Sequence, residues 1–205
     1  MADAEHPQIY LITPPEFALS GFTQSLARVL DTVEVACLRL ALSTANEDDV
    51  LRAGDALREV AHARDVPLVI ERHVQMAERL GLDGVHLTDG ARSVREARKA
   101  LGADAIVGSF CGASRHDGMG AGEAGADYVA FGPVEAGALG DGRAAEHELF
   151  AWWSEMIEVP VVAEGGLTPD AVAALSPVAD FLGIGQEIWG ADDPAQALQS
   201  LVARI

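Results

Sequence analysis

Two glycine-containing turns near the end of the chain give the clearest signal for ligand binding. The first contains Gly165 and Gly166, and the second contains Gly185 and Gln186. Because glycine has no Cβ, the backbone N–H groups of such turns can approach a ligand closely, and turns that follow parallel strands often bind phosphate. We interpret these four residues as a candidate phosphate-binding group. The alternative is that the glycines only form tight turns, and Glu164 opposes phosphate unless its carboxylate points elsewhere.

Arg39 lies in a run of residues that is otherwise apolar. A buried guanidinium needs an anionic partner, because an unpaired charge is costly away from water. Glu71, at the end of the next apolar run, is one candidate partner. A phosphate or carboxylate group of a ligand is the other.

Two further ionisable positions also follow apolar runs. His86 lies between Val85 and Leu87 in a short apolar run. If this run is a strand of a barrel, and Val85 and Leu87 face the surrounding helices, then His86 faces the barrel interior. It is either a hydrogen-bonded packing residue or a catalytic one. Glu71 begins a Glu-Arg-His triplet that ends at His73. The triplet is either a solvated loop with a helix cap or a cluster that contacts a ligand.

A polar, glycine-rich loop follows the fifth apolar run. Arg115 and His116 are rare basic residues in an acidic chain, so an anionic ligand would be attracted to them. In the alternative interpretation, Ser114 simply caps the next helix, and Cys111 is either a nucleophile or a packing residue. The candidate catalytic residues are Arg39, Glu71, His86, Arg115 and His116.

The elements that position these residues follow a regular alternation. Eight short apolar runs, typical of buried parallel strands, are each followed by a longer amphipathic stretch. The runs are Gln8–Thr13, Glu34–Leu40, Pro67–Glu71, Gly84–Leu87, Ala105–Ser109, Tyr128–Phe131, Pro160–Glu164 and Asp180–Ile184.

The stretches between the runs have the periodicity and the ends of helices. Apolar residues in Asp48–Arg64 recur at spacings of three and four, which places them on one helical face. Thr168 and Asp193 each precede a proline, as N-cap residues often do. Ser93 and Glu96 have the spacing of a capping box. The glycine-rich segment 135–143 after the sixth run has the composition of a lid.

Eight strand–helix units in about 200 residues predict an α/β fold, a (β/α)8 TIM barrel formed as a single domain by residues 1–205. A doubly wound open sheet is the alternative. That sheet normally has fewer strands, and no GxGxxG motif follows the first run.

Composition excludes several classes of function. The chain has 205 residues, 49% of them hydrophobic, and 14 Lys and Arg against 32 Asp and Glu give a net charge of −18. A surface this acidic repels nucleic acid and anionic lipid, so we expect neither as a partner. The acidic N-terminus is unlike a signal peptide, and the two cysteines, Cys37 and Cys111, are not spaced as a disulfide framework. We therefore expect a cytoplasmic protein, with a homo-oligomer left open.

Four groups of residues resemble the motifs of the thiamine phosphate synthase family in order and approximate spacing. They are Tyr10–Thr13, Asp83–Leu87, Gly125–Val129 with Phe131–Val134, and Pro160–Ala163 with Gly165 and Gly166. The resemblance implies a (β/α)8 barrel and a transferase that joins hydroxymethylpyrimidine diphosphate to thiazole phosphate, giving thiamine phosphate and pyrophosphate. It also implies Mg²⁺ on the diphosphate, where metal and basic groups stabilise the departing anion.

Several positions depart from the pattern of that family. Arg39 is retained, but the neighbouring family glutamine and lysine are replaced, and a phosphate-binding threonine-rich loop becomes Gly137, Ala138, Leu139 and Gly140. The metal-binding aspartate expected after His86 falls on Ala91, with Asp89 as a displaced candidate. Three hypotheses follow: a thiamine phosphate synthase with relocated metal ligands such as Glu71, Asp89 and Asp117, a divergent enzyme for another small phosphorylated heterocycle, or a non-catalytic binding or regulatory barrel.

Overall fold

The computed structural model describes residues 7–44, 46–137 and 139–205. The strands are β1 (Gln8–Ile12), β2 (Val35–Leu40), β3 (Leu68–Glu71), β4 (Gly84–Leu87), β5 (Ile106–Phe110), β6 (Tyr128–Phe131), β7 (Val161–Glu164) and β8 (Phe181–Ile184). The helices are α1 (Leu19–Leu30), α2 (Glu47–His62), α3 (Val74–Leu80), α4 (Val94–Leu101), α5 (Arg115–Glu123), α6 (His147–Met156), α7 (Pro169–Leu175), α8 (Gln186–Trp189) and α9 (Pro194–Val202).

The eight strands form one closed parallel barrel in chain order. β1 pairs with β2 on one side and with β8 on the other, where Gln8 aligns with Phe181. The predicted (β/α)8 fold is confirmed, and closure between β1 and β8 excludes an open sheet. Every predicted strand forms within one residue of its expected limits. No helix in the described part of the chain has the length and apolar character to cross a membrane.

The barrel has an inner and an outer core. Alternate strand residues point inward and pack on one another, and the remainder pack against the helices. The fully buried Trp153 belongs to the outer core, where its ring lies 4.9 Å from that of Phe131 and its Nε1 donates to the Val159 carbonyl. The inner core includes Tyr10, Cys37, Val69, Tyr128, Ala130 and Val162.

Three aspartates tie the strands together at their N-terminal ends. Asp83, Asp127 and Asp180 each precede an even-numbered strand, and each carboxylate accepts a backbone N–H at the start of the preceding odd-numbered strand, at 2.7 Å. These contacts are on the face opposite to the candidate site, where we expect residues to serve stability.

Most predicted helix caps form, with one exception. The side chains of Ser114, Thr168 and Asp193 accept N–H groups of α5, α7 and α9. The capping-box prediction for Ser93 is wrong. Its backbone has φ of −98° and ψ of −2°, close to helical and not extended as in an N-cap residue, so its oxygen does not accept a first-turn N–H group. The hydroxyl instead donates to Asp89 Oδ2 at 2.6 Å, and α4 begins without a side-chain cap.

Candidate active site

Arg39 is the centre of a polar network inside the barrel. It is 4% exposed, and its Nη2 donates to Glu164 Oε2 at 2.7 Å while its Nη1 donates to His86 Nε2 at 2.7 Å. Glu71 Oε2 lies 3.8 Å from the Arg39 Nε atom, which has no hydrogen-bond partner. The anionic partner of Arg39 is therefore chiefly Glu164, which the sequence analysis did not identify, and Glu71 is the more distant one.

The network continues from His86 toward the barrel interior. A guanidinium can only donate, so His86 Nε2 is the acceptor and the ring proton is on Nδ1, which donates to the Tyr128 hydroxyl at 2.9 Å. The Tyr128 hydroxyl also hydrogen-bonds the Tyr10 hydroxyl at 2.5 Å. Gly108 makes room for this chain of contacts, because a Cβ there would lie 1.9 Å from the Tyr128 ring. The prediction that His86 faces the interior is confirmed.

Burial and the Arg39 charge set the protonation of this network. Burial lowers the pKa of His86 well below its usual value, and the adjacent Arg39 lowers it further, so His86 is neutral. Burial, the largest cause in each case, also raises the pKa of Tyr10 and Tyr128 well above the usual range. For Glu164, burial raises the pKa and Arg39 opposes the rise. Arg39 is thus the fixed cation of the network, paired with the carboxylate of Glu164 and in contact with the neutral His86.

A cavity of about 520 Å³ opens above this network at the C-terminal ends of the strands. Arg39 and Glu164 line it, together with loops that follow β1, β2, β3, β6, β7 and β8. Volumes in this range suit small-molecule ligands. Its ionisable lining residues are the basic Arg39 and Arg72 and the acidic Glu71, Glu135, Glu164 and Glu187.

Arg72 has an unusual backbone conformation at the rim of the cavity. Its φ is +67°, in the left-handed region that L side chains rarely adopt. Its Nε lies 3.2 Å from Glu71 Oε1. Backbone strain of this kind often clusters at ligand-binding sites, although Asp65, in the turn before β3, also has a positive φ, of +56°.

All four candidate phosphate-binding residues line the cavity, and one further residue contacts them. Gly165 and Gly166 both have φ of +83°, which favours glycine. The Glu187 carboxylate accepts the backbone N–H groups of Gly166 and Gly185 at 3.0 and 2.7 Å. Sequence analysis missed this role of Glu187, although a glutamate directly after a glycine turn is a detectable signal.

Two smaller cavities continue around the same rim. One of about 160 Å³ is lined by Arg39, Glu71 and His86, and the next, of about 350 Å³, by Asp89 and Asp117. Asp89 Oδ1 is buried without a hydrogen-bond partner. In the described residues no group of three or more His, Cys, Asp or Glu side chains converges to hold a metal ion.

The structure does not bring Arg115 and His116 to these cavities. Both are exposed on α5, and Arg115 stacks over Trp152, 4.6 Å from the ring centroid, while donating to the Glu148 carbonyl. Their position depends on which face of α5 they occupy, and the composition of the loop does not predict that face. Burial raises the pKa of the Cys111 thiol to about 12, so a nucleophilic role has no support.

The loop after β6 closes one side of the cavity. Gly137 and Leu139 line it, and Gly140 lines the two smaller cavities. Ala138, which the sequence analysis placed in a candidate lid, lies outside the described residues.

Comparison with known proteins identifies the family. Residues 9–184 match the family model described as thiamine monophosphate synthase. The chain belongs to this family. A thiamine-phosphate synthase of Rhodospirillum centenum is 45% identical over 184 residues, 89% of this chain and 89% of that protein. Another, of Erythrobacter litoralis, is 40% identical over 212 residues and covers 100% of this chain and 99% of its own.

The fold of this thiamine monophosphate synthase family member is also found in solved structures. A thiamine phosphate pyrophosphorylase from Pyrococcus furiosus superposes with a TM-score of 0.82 at 22% identity, covering 96% of this chain and 95% of its own. The match to the family model runs from β1 to β8 and includes Arg39 and Glu164, whereas Glu187 lies just beyond its last residue. The resemblance found in the sequence motifs is confirmed.

The Arg39–Glu164 pair predicts a large, non-additive effect on stability. Arg39→Met leaves the carboxylate of Glu164, which is 1% exposed, without its cation, and should lower the free energy of unfolding by about 3–5 kcal/mol. Glu164→Met should be similarly costly, and the double variant should be more stable than the sum of the two losses implies. Urea unfolding of all three, with Arg52→Met in an exposed ion pair as control, measures the coupling. Additive losses would contradict a direct pair.

The buried neutral His86 predicts a loss of stability at mildly acidic pH. Its folded pKa is well below the unfolded value near 6.5, so below that pH the unfolded chain binds the additional proton and is favoured. Wild type should lose about 1.4 kcal/mol per pH unit below 6.5 relative to His86→Gln, whose amide can keep both hydrogen bonds. Urea unfolding at pH 7.5, 6.5 and 5.5 tests this. Parallel curves for the two proteins would contradict it.

Proposed function

We propose that this protein joins hydroxymethylpyrimidine diphosphate to thiazole phosphate, forming thiamine phosphate and releasing pyrophosphate. The observation that carries the proposal is that proteins named thiamine-phosphate synthase share 45% and 40% of their residues with this chain over nearly its whole length. The cavity of about 520 Å³ at the C-terminal ends of the strands supports it, since this is where barrels of this class act.

The reaction requires stabilisation of a departing anion. When pyrophosphate leaves, it takes the bonding electrons, and the pyrimidine methylene carries positive charge until the thiazole nitrogen bonds to it. Arg39 and Arg72 are the basic groups of the cavity that face the diphosphate in this proposal. Glu71 and Glu164 place negative charge beside the pyrimidine cation, and fixed charges in a water-poor site are effective in this role.

Because the cavity lining is acidic, it favours a diphosphate substrate that is bound to a cation. Mg²⁺ generally uses only one or two protein carboxylates and takes its other ligands from water and phosphate. Asp89 fits this requirement, because its buried Oδ1 has no protein partner and Asp117 lines the same smaller cavity, of about 350 Å³, on the rim. These two side chains would hold Mg²⁺, which when bound offsets the charge of the diphosphate.

The proposed reaction is tested with purified protein. Mixing pyrimidine diphosphate, thiazole phosphate and Mg²⁺ should yield thiamine phosphate and one equivalent of pyrophosphate, and the gene should rescue a thiamine auxotroph that lacks the synthase. Turnover of another phosphorylated heterocycle in place of these two would favour a divergent enzyme. Binding of thiamine precursors by calorimetry without turnover would favour a non-catalytic role.

The proposed metal ligand makes a separate prediction. Asp89→Asn keeps an acceptor for the Ser93 hydroxyl but removes the charge, so the Mg²⁺ concentration for half-maximal rate should rise about ten-fold or more. Asp104→Asn, at an exposed position outside the cavities, is the control and should behave as wild type. An unchanged Mg²⁺ requirement in Asp89→Asn would rule out Asp89 as a ligand.

A further inference from the structure

Three backbone N–H groups at one side of the cavity converge on the carboxylate of Glu187. Gly166 and Leu167 donate to its Oε1 at 3.0 and 3.1 Å, and Gly185 donates to its Oε2 at 2.7 Å. The donors come from two different loops, after β7 and after β8. Together they form an anion site, which we call the amide cup and define as the N–H groups of Gly166, Leu167 and Gly185.

Two of the three backbone positions of the amide cup are closely constrained. Gly166 has φ of +83°, and a Cβ there would lie 3.0 Å from the Cβ of Glu135. A Cβ at Gly185 would lie 3.2 Å from that of Ile12. The cup is thus built from residues that have little freedom to change, and it holds its donors in place before any ligand arrives.

The charge of Glu187 is balanced by this cup rather than by a side chain. Within residues 7–44, 46–137 and 139–205, no basic side chain lies within 4.0 Å of its carboxylate oxygens. Glu71, Glu135 and Glu164 line the same cavity and repel it. Its place in the cup therefore reflects the affinity of the three N–H groups for an anion, since the surrounding charges favour its leaving.

A phosphate group and the Glu187 carboxylate cannot use the amide cup together. Each of the three N–H groups already has an acceptor, and two anions within hydrogen-bonding distance of the same donors repel strongly. We propose that Glu187 is a specificity-determining residue that competes with the phosphate of the substrate for the amide cup. Phosphate binds there when the Glu187 side chain swings out, and this competition weakens the preference for a phosphorylated over an unphosphorylated thiazole.

The inference rests on the proposed function for its substrate, but the competition itself is independent of turnover. Glu187→Ala empties the cup, and Glu187→Gln keeps the volume of the side chain without its charge. Glu155→Ala removes a carboxylate from the exposed face of α6 and controls for the change in net charge. The three variants separate local competition from general electrostatics.

The first measurement uses inorganic phosphate as the probe. In NMR titrations the amide signals of Gly166, Leu167 and Gly185 should saturate at a phosphate concentration about ten-fold lower in Glu187→Ala than in wild type, with Glu187→Gln between them. Glu155→Ala should match wild type. Equal or weaker phosphate binding in both Glu187 variants would overturn the proposal and make Glu187 a structural tie between two loops.

The second measurement compares thiazole phosphate with the corresponding thiazole alcohol as acceptor. The ratio of their kcat/KM values should rise about ten-fold in Glu187→Ala, through KM for the phosphate, and should not change in Glu155→Ala. An unchanged ratio with active enzyme overturns the inference. If wild type turns over neither acceptor, the proposed function fails, and the phosphate titration alone decides the role of Glu187.

Discussion

The buried charge of Arg39 is the constraint on which the rest of the site depends. Transfer of a guanidinium into a barrel interior is costly, and the cost is offset only if the geometry of its partners is good. Glu164 supplies the negative charge from β7, a strand that is not adjacent to β2, so the ion pair spans the interior. His86 must then accept from Arg39, which keeps the imidazole neutral and directs its own proton to Tyr128.

Some of the hydrogen-bond donors that an anionic ligand would use in this cavity already bind carboxylates of the protein. Two carboxylates, Glu164 and Glu187, accept at 2.7 Å from a guanidinium and from a backbone N–H. In each case the protein places its own anion where a phosphorylated ligand would seek a donor. The cavity lining is thus acidic, like the chain as a whole. Binding of a phosphate group there requires either movement of these carboxylates or a cation that accompanies the phosphate.

The fold could be predicted almost completely, but the partners within the site could not. Strand limits followed from local runs of apolar residues, and the positions of Gly165 and Gly166 followed from turn chemistry. The pairing of Arg39 with Glu164 depends on which inward side chains meet across a closed barrel. Local patterns offered only the neighbouring Glu71 or an anionic group of a ligand as the partner. Arg115 was placed on the rim because its loop is polar, whereas the phase of α5 turns it toward Trp152.

The Nε–H group of Arg39 remains for a ligand. Its Nη1 and Nη2 atoms bond His86 and Glu164, whereas the buried Nε has no partner and Glu71 is 3.8 Å away. An unsatisfied buried N–H is unfavourable, so the site is stabilised when an acceptor reaches it. Glu71 lines the cavity and its carboxylate also lies close to Arg72. A small movement of this carboxylate would therefore change its ion-pair partner from Arg72 to Arg39. Arg39 is therefore held in place by Glu164 and His86, and its unpartnered Nε–H is directed toward the side of the barrel that carries Glu71.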